Sequence, residues 1–237
     1  MIHKLRHLLR ESPILRRTVY PLAFWFANTV LGIRQRSIRK YGWQAVREID
    51  FAAKSSGMPY SAFFGTLLGF VREKGFIAND TDMDFAMYGC GFAEFFNALE
   101  KRGFKFDRFI IIDSHLKEFS VRYKEISIDF FNNAEYTDDG LIWGLFTEKI
   151  GESWGYLALP KPTKLIGEMV HDRQTSIPEN YDAILSQNYG NYRKPVEKWN
   201  DSMAPGFTLV HKCYELKLSR DRAEWIAFVS EGKKSVI

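Results

Sequence analysis

The chain has 237 residues, enough for one sizeable domain with an appended segment. Hydrophobic residues at 46% against charged residues at 26%, with 20 Phe and 11 Tyr, make a globular composition with a large aromatic core and exclude wholesale disorder. The net charge of +4 is unevenly placed: residues 1–40 carry nine Lys or Arg against Glu11 alone, an excess of +8 that leaves the other 197 residues at −4. A nucleic-acid partner is disfavoured, because nothing basic continues from this segment into the body.

Within the basic segment, Tyr20–Gly32 is apolar and aromatic. It is too short to cross a bilayer, which takes about 20 apolar residues, and it lacks the small-residue cleavage site of a signal peptide. Two readings stay open. The segment lies in the headgroup region of an anionic leaflet, at the inner face of the membrane around a cytoplasmic protein, or it packs on the domain with its arginines solvated. Residues 1–40 are accordingly read as a basic amphipathic segment and residues 41–237 as the folded body. Cys90 and Cys213 lie far apart with no CxxC pairing, so neither a zinc site nor a disulfide framework is expected, and each reads as a buried thiol in a reducing compartment.

The body opens with an amphipathic helix over 41–57, placing Val46, Ile49, Phe51 and Ala53 roughly on one face and stopping at Gly57. A short strand is predicted from Met58 to Phe64, then a turn at Gly65–Gly69 leading into a helix at Phe70-Val71-Arg72. Residues 82–88 alternate polar and apolar with period two, a strand signature. Phe92–Arg102 has helical spacing and ends at Gly103. Phe104–Ile112 reads as a strand, and Phe119–Tyr123 and Ile126–Phe131 as two strands joined tightly at Lys124-Glu125. Leu157–Pro162 reads as a loop, Lys164–His171 and Tyr181–Asn188 as helices, and the chain beyond residue 208 as a charged, mostly helical tail. Strands and helices interleaved around one mixed sheet define an α+β (mixed α/β) domain.

The chemistry concentrates between Gly65 and Asp84. Asp82 and Asp84 are one residue apart in an alternating strand, so both side chains share a face, about 7 Å apart at a rise of roughly 3.3 Å per residue. Two ionised carboxylates that close repel, and a cation between them relieves the repulsion. An all-oxygen site of this kind suits Mg²⁺ or Mn²⁺, which also bridge to substrate phosphates. Asp129, flanked by apolar residues in ISIDFF, is in an expensive place for an unpaired carboxylate; on an adjacent strand it would complete a ligand triad, and on an edge strand it would face solvent. Gly65 and Gly69 bracket a turn whose backbone amides can approach a phosphate. Arg72 could clamp a diphosphate with its planar fork, with Lys74 adding charge.

Gly65-Thr66-Leu67-Leu68-Gly69, Arg72, Gly75-Phe76-Ile77 and Asp80-x-Asp82-x-Asp84 resemble the signature of the LicD/fukutin family, GTLLGxxR followed by FIPWDDDID. Here Ala78-Asn79 replaces the Pro-Trp pair and Thr81 the middle acidic residue. A looser likeness runs from Ile177-Pro178 through Tyr181, Tyr189-Gly190 and Tyr192 to Pro195. The resemblance implies a nucleotidyltransferase-like mixed sheet flanked by helices. It implies transfer of phosphocholine, ribitol phosphate or a related group from a CDP-activated donor to a glycan or glycolipid hydroxyl, with CMP leaving, in cell-surface polysaccharide modification. It places Mg²⁺ on Asp82 and Asp84, has Asp129 share the metal or deprotonate the acceptor, and has Gly65, Thr66, Gly69, Arg72 and Lys74 cradle phosphate. Asp80, Tyr189 and Tyr192 would line the pocket. A choline head group would favour an aromatic cage, for which Trp143, Trp154 and Tyr156 are candidates, with core packing as their other role. The alternative is a true nucleotidyltransferase releasing pyrophosphate. A non-catalytic adaptor is disfavoured, since a binding module has no use for clustered carboxylates.

Overall fold

A computed structural model describes residues 13–133, 145–150, 153–170, 173–196, 199–210 and 215–230; for 13–28, 145–150, 153–154 and 210 it describes the backbone course only. Helix α1, Pro13–Ser56, runs straight through residue 40, so the boundary expected there falls inside one continuous element. Gly57 (φ +71°) stops it, and the Met58 N–H donates to the Ala53 carbonyl at 3.0 Å, a Schellman closure. Ile38, Ala45, Val46, Ile49, Ala52 and Ala53 form its buried stripe. Phe51 does not belong to that stripe: it is 46% exposed, under the Arg102 guanidinium.

Strand β1 (Tyr60–Ala62) leads to a short helix α2 (Phe64–Leu68) and a π-helical turn, Gly69–Glu73. Then come β2 (Asp82–Met87), α3 (Phe92–Glu100), β3 (Lys105–Ile112), β4 (His115–Tyr123) and β5 (Ile126–Asn132). Lys124 and Glu125 both have positive φ (46° and 69°), as a two-residue hairpin of the right twist requires. Further on lie β6 (Leu145–Ile150), β7 (Ser153–Leu157), β8 (Leu165–Val170), β9 (Arg173–Pro178), α4 (Tyr181–Tyr189), β10 (Phe207–Val210), β11 (Leu216–Ser219) and α5 (Arg222–Ser230).

The main sheet has the order β1-β2-β5-β4-β3-β11, with β2 and β5 parallel and every other pair antiparallel. With five helices among the described residues, this is a mixed α+β fold. A three-stranded sheet (β10-β7-β6) and the β8–β9 hairpin complete it.

Three expectations are corrected. Residues 164–171 hold strand β8 rather than a helix: Gly167 is a poor helix residue, and antiparallel pairing with β9 decides the segment. Among the described residues the tail is not mostly helical, because Leu216–Ser219 joins the open edge of β3. Cys90 is exposed, in the turn between β2 and α3; Cys213 lies outside the described residues.

The sheet has two unlike faces. Met83, Phe85, Ile128, Phe130, Phe119, Val121 and Phe109 are buried on one of them, under Phe95 and Phe96 of α3 and Trp225 of α5. Ring centroids lie 5.1 Å apart for Phe95–Phe130, 5.5 Å for Phe96–Trp225 and 4.9 Å for Phe119–Trp225. Aromatic pairs at such spacings add about 0.5–1.5 kcal/mol each beyond their burial. Period two turns the intervening residues to the other face. These are Asp82, Asp84, Ser127, Asp129, Ser120, Glu118 and Arg108.

Among the described residues no helix is long and apolar enough to cross a membrane.

Candidate active site

The turn after β1 is built onto the Asp84 peptide. The Phe63 N–H donates to the Asp84 carbonyl at 3.0 Å, and the Asp84 N–H donates to Thr66 Oγ1 at 2.9 Å. Both backbone groups of Asp84 are thereby held by the start of α2, whose first residue, Phe64, takes a left-handed φ of 37°. A Cβ on Gly65 would lie 3.3 Å from Asp80 Oδ2 and 3.7 Å from Asp84 Oδ2, so this glycine is where the chain lets two carboxylates approach its backbone. At Gly69 a Cβ would stand 2.6 Å from the Gly75 carbonyl oxygen. That close approach folds residues 75–80 back along the π-helical turn and delivers Asp80–Asp84 to the sheet.

Asp84 and Asp129 are register partners in the parallel β2–β5 pair, with side chains on one face and strands about 4.8 Å apart. Asp82 continues the row along β2, and Asp80 stands two residues ahead of that strand. Burial pushes the Asp84 carboxyl well above the usual carboxylate range, and Asp82, Asp129, Asp80 and Glu118 add repulsion. Asp82 is raised by burial and by Asp129, against the lowering charges of Arg34 and Arg108. Asp80 is pushed up to about 6 by burial and Asp82, with Arg72 opposing. Glu118 rises through burial and Asp129.

A cavity of about 620 Å³ opens beside this cluster, lined by Gly65, Arg72, Asp80, Tyr189, Tyr192, Lys194 and Trp199 among others. The Arg72 guanidinium is anchored by Glu73 (2.7 Å) and by the Tyr192 carbonyl (3.1 Å). Tyr189 and Trp199 pack ring against ring at 4.8 Å. Burial, with Asp84 and Asp80 nearby, holds the Tyr189 phenol far above its ordinary range.

Of the residues singled out by sequence, Asp82, Asp84 and Asp129 meet on one sheet face with Asp80 beside them, and Gly65, Arg72, Asp80, Tyr189 and Tyr192 meet in one cavity. Three are placed otherwise. Thr66 is buried and used to hold Asp84; Gly69 is used for backbone packing; Lys74 pairs with Glu168 at 3.7 Å, outside the cavity lining. Of the aromatic-cage candidates, Trp143 lies outside the described residues, and Trp154 and Tyr156 belong to the small sheet. The sequence reading missed Arg34, Arg108, Glu118, Lys194 and Trp199. None of these five carried a local signal like that of Asp129: Glu118, for one, follows Lys117 and reads as part of an ordinary charged pair.

Among the described residues no three acidic, His or Cys side chains form a ready-made metal cage. The donor set nevertheless fits a hard divalent cation: it is all carboxylate, burial and neighbouring acids raise Asp82 and Asp84, and buried Asp129 Oδ1 finds no hydrogen-bond partner among the described residues. The chain matches no known family's sequence profile and no curated protein.

Proposed function

We propose that this protein is a metal-dependent phosphotransferase of nucleotidyltransferase-like fold that moves a substituted phosphate from a CDP-activated donor to a glycan or glycolipid hydroxyl. The observation that carries the reading is the alignment of Asp82, Asp84 and Asp129 on one polar sheet face beside a cavity lined by Gly65 and two cationic side chains. Asp82 and Asp84, with Asp129, would hold Mg²⁺ or Mn²⁺, which supplies charge neutralisation and polarises phosphoryl oxygens.

The chain's own groups do the rest. Arg72 and Lys194 attract the donor diphosphate into the cavity, and Gly65 admits it without a side chain in the way. The Tyr189–Trp199 wall offers a ring surface to the donor's base or head group. The acceptor oxygen attacks the phosphorus bearing the head group, the bond from that phosphorus to the CMP oxygen breaks, and the acceptor's hydroxyl proton passes to solvent.

Asp82→Asn or Asp84→Asn is expected to lower transfer by about a hundredfold or more while the protein stays folded. Full activity of the wild type in excess EDTA would sink the reading. Thermal-shift measurements with Mg²⁺ and CDP-choline, CDP-ribitol, CDP-glycerol or CDP-ethanolamine identify the head group. Release of pyrophosphate instead of CMP would reassign the protein as a true nucleotidyltransferase. The basic first part of α1 further suggests work at the inner face of an anionic membrane.

A further inference from the structure

One row of side chains crosses four strands of the main sheet. Arg108 of β3 lies opposite Ser120 of β4, Ser120 opposite Asp129 of β5, and Asp129 opposite Asp84 of β2. The register shift between Phe106 and Arg108 sets this up, since unbroken pairing would put Asp107 opposite Ser120. Ser120 is small enough for the arginine to pass over it. Arg108 Nη2 reaches Glu118 Oε1 at 2.7 Å and Asp129 Oδ2 at 3.3 Å. Ser120 Oγ donates to the same Glu118 oxygen at 3.2 Å. The neighbouring Asp107 is already engaged by Arg220 at 2.9 Å and Arg122 at 3.4 Å, and lies 3.9 Å from Arg108 Nη1. The closest contacts of Arg108 are therefore those to Glu118 and Asp129.

We propose that Arg108, braced by Glu118, is a positioning residue: it engages one oxygen of Asp129 and so presents the other, Oδ1, to the cation shared with Asp82 and Asp84. The inference rests on the metal-dependent reading above. Asp129 Oδ1 is buried without a hydrogen-bond partner among the described residues, as a ligand atom held ready would be. Groups that orient a metal-binding side chain in this way affect affinity by roughly 10–100-fold.

The role has a sign that simple charge does not. Removing a positive charge beside a cation site strengthens cation binding by Coulomb's law, whereas removing an orienting contact weakens it. The measurement is Mn²⁺ binding to the full chain, followed by the paramagnetic resonance of free Mn²⁺. Arg108→Met and Arg108→Lys are each expected to bind about tenfold more weakly than wild type. In an Asp129→Asn background, Arg108→Met is expected to add no further loss. Unchanged or tighter binding in Arg108→Met, unchanged binding in Arg108→Lys, or additive losses in the double variant would overturn the assignment. Should Arg108→Met not fold, Arg108→Lys decides alone, because it keeps the charge and changes the geometry. If wild type binds no Mn²⁺, or Asp84→Asn binds as tightly as wild type, the metal reading itself fails and takes this inference with it. That result is distinct from a loss of the Arg108 effect alone.

Discussion

Asp80, Asp82 and Asp84 stand on alternate positions of one segment, and each titrates above its ordinary range because burial and like charge both disfavour ionisation. At Asp80 the consequence for stability has a definite sign. Its carboxyl, pushed up to about 6, titrates above the ordinary aspartate range, so the protonated form is favoured in the fold. The contribution is fully present below about pH 4 and is lost as pH rises through about 6. In EDTA near neutral pH, Asp80→Asn should therefore be more stable than wild type, by about 1 kcal/mol once partial solvent screening is allowed for. That gap should close below about pH 4. Thermal melts across pH check this, and a gap that widens on acidification would contradict it. The three aspartates were legible in the sequence because side-chain direction in a strand is local, alternating at every residue. Arg108 was not legible, because a bulge moves it by one place relative to β4.

The element that shapes the site is the segment from Phe64 to Asp80, in which α2 and the π-helical turn hold the chain against the head of β2. Its tightest point is Gly69, where an added methyl would meet the carbonyl of Gly75, a backbone atom that has no rotamer to escape into. Gly69→Ala is expected to destabilise the protein by about 1–3 kcal/mol, the usual range for overpacking, and to lower donor binding with it. Denaturant unfolding reads the first effect and a thermal shift with the nucleotide the second; an unchanged midpoint would refute the packing role. Period and spacing showed β2, α3, the β4–β5 hairpin and α4 to within a few residues. They misread β8, whose identity comes from its partner β9 rather than from its own residues. They also missed β11, a four-residue strand that gains its place by joining an existing sheet edge.

On the scale of the whole molecule, α3, α5 and the docked part of α1 cover the aromatic face of the sheet, leaving the acidic row on the opposite face. Before its docked part, α1 carries Leu31 and Ile33, 41% and 44% exposed, followed by exposed Arg36, Arg39 and Lys40. Exposed apolar residues beside cations suit an anionic leaflet. The full chain should cosediment with vesicles containing anionic lipid, not with zwitterionic ones, and should be released as salt rises to about 0.5 M, where charges farther apart than a few ångströms are screened. Equal retention on both kinds of vesicle would remove the membrane from the account.

What this chain determines by itself is local: which residues alternate, where glycines permit tight turns, and which carboxylates share a strand face. The α+β class and the acidic row along β2 follow from those properties. Tertiary structure decided which strands are neighbours, and so that Asp129 sits beside Asp84 and Arg108 reaches both Glu118 and Asp129. It also decided that Lys194 and Trp199 close a cavity begun by Gly65 and Arg72. The physical reason is that side-chain direction follows from backbone period, whereas adjacency depends on pairing between distant segments, where one bulged residue shifts every partner beyond it.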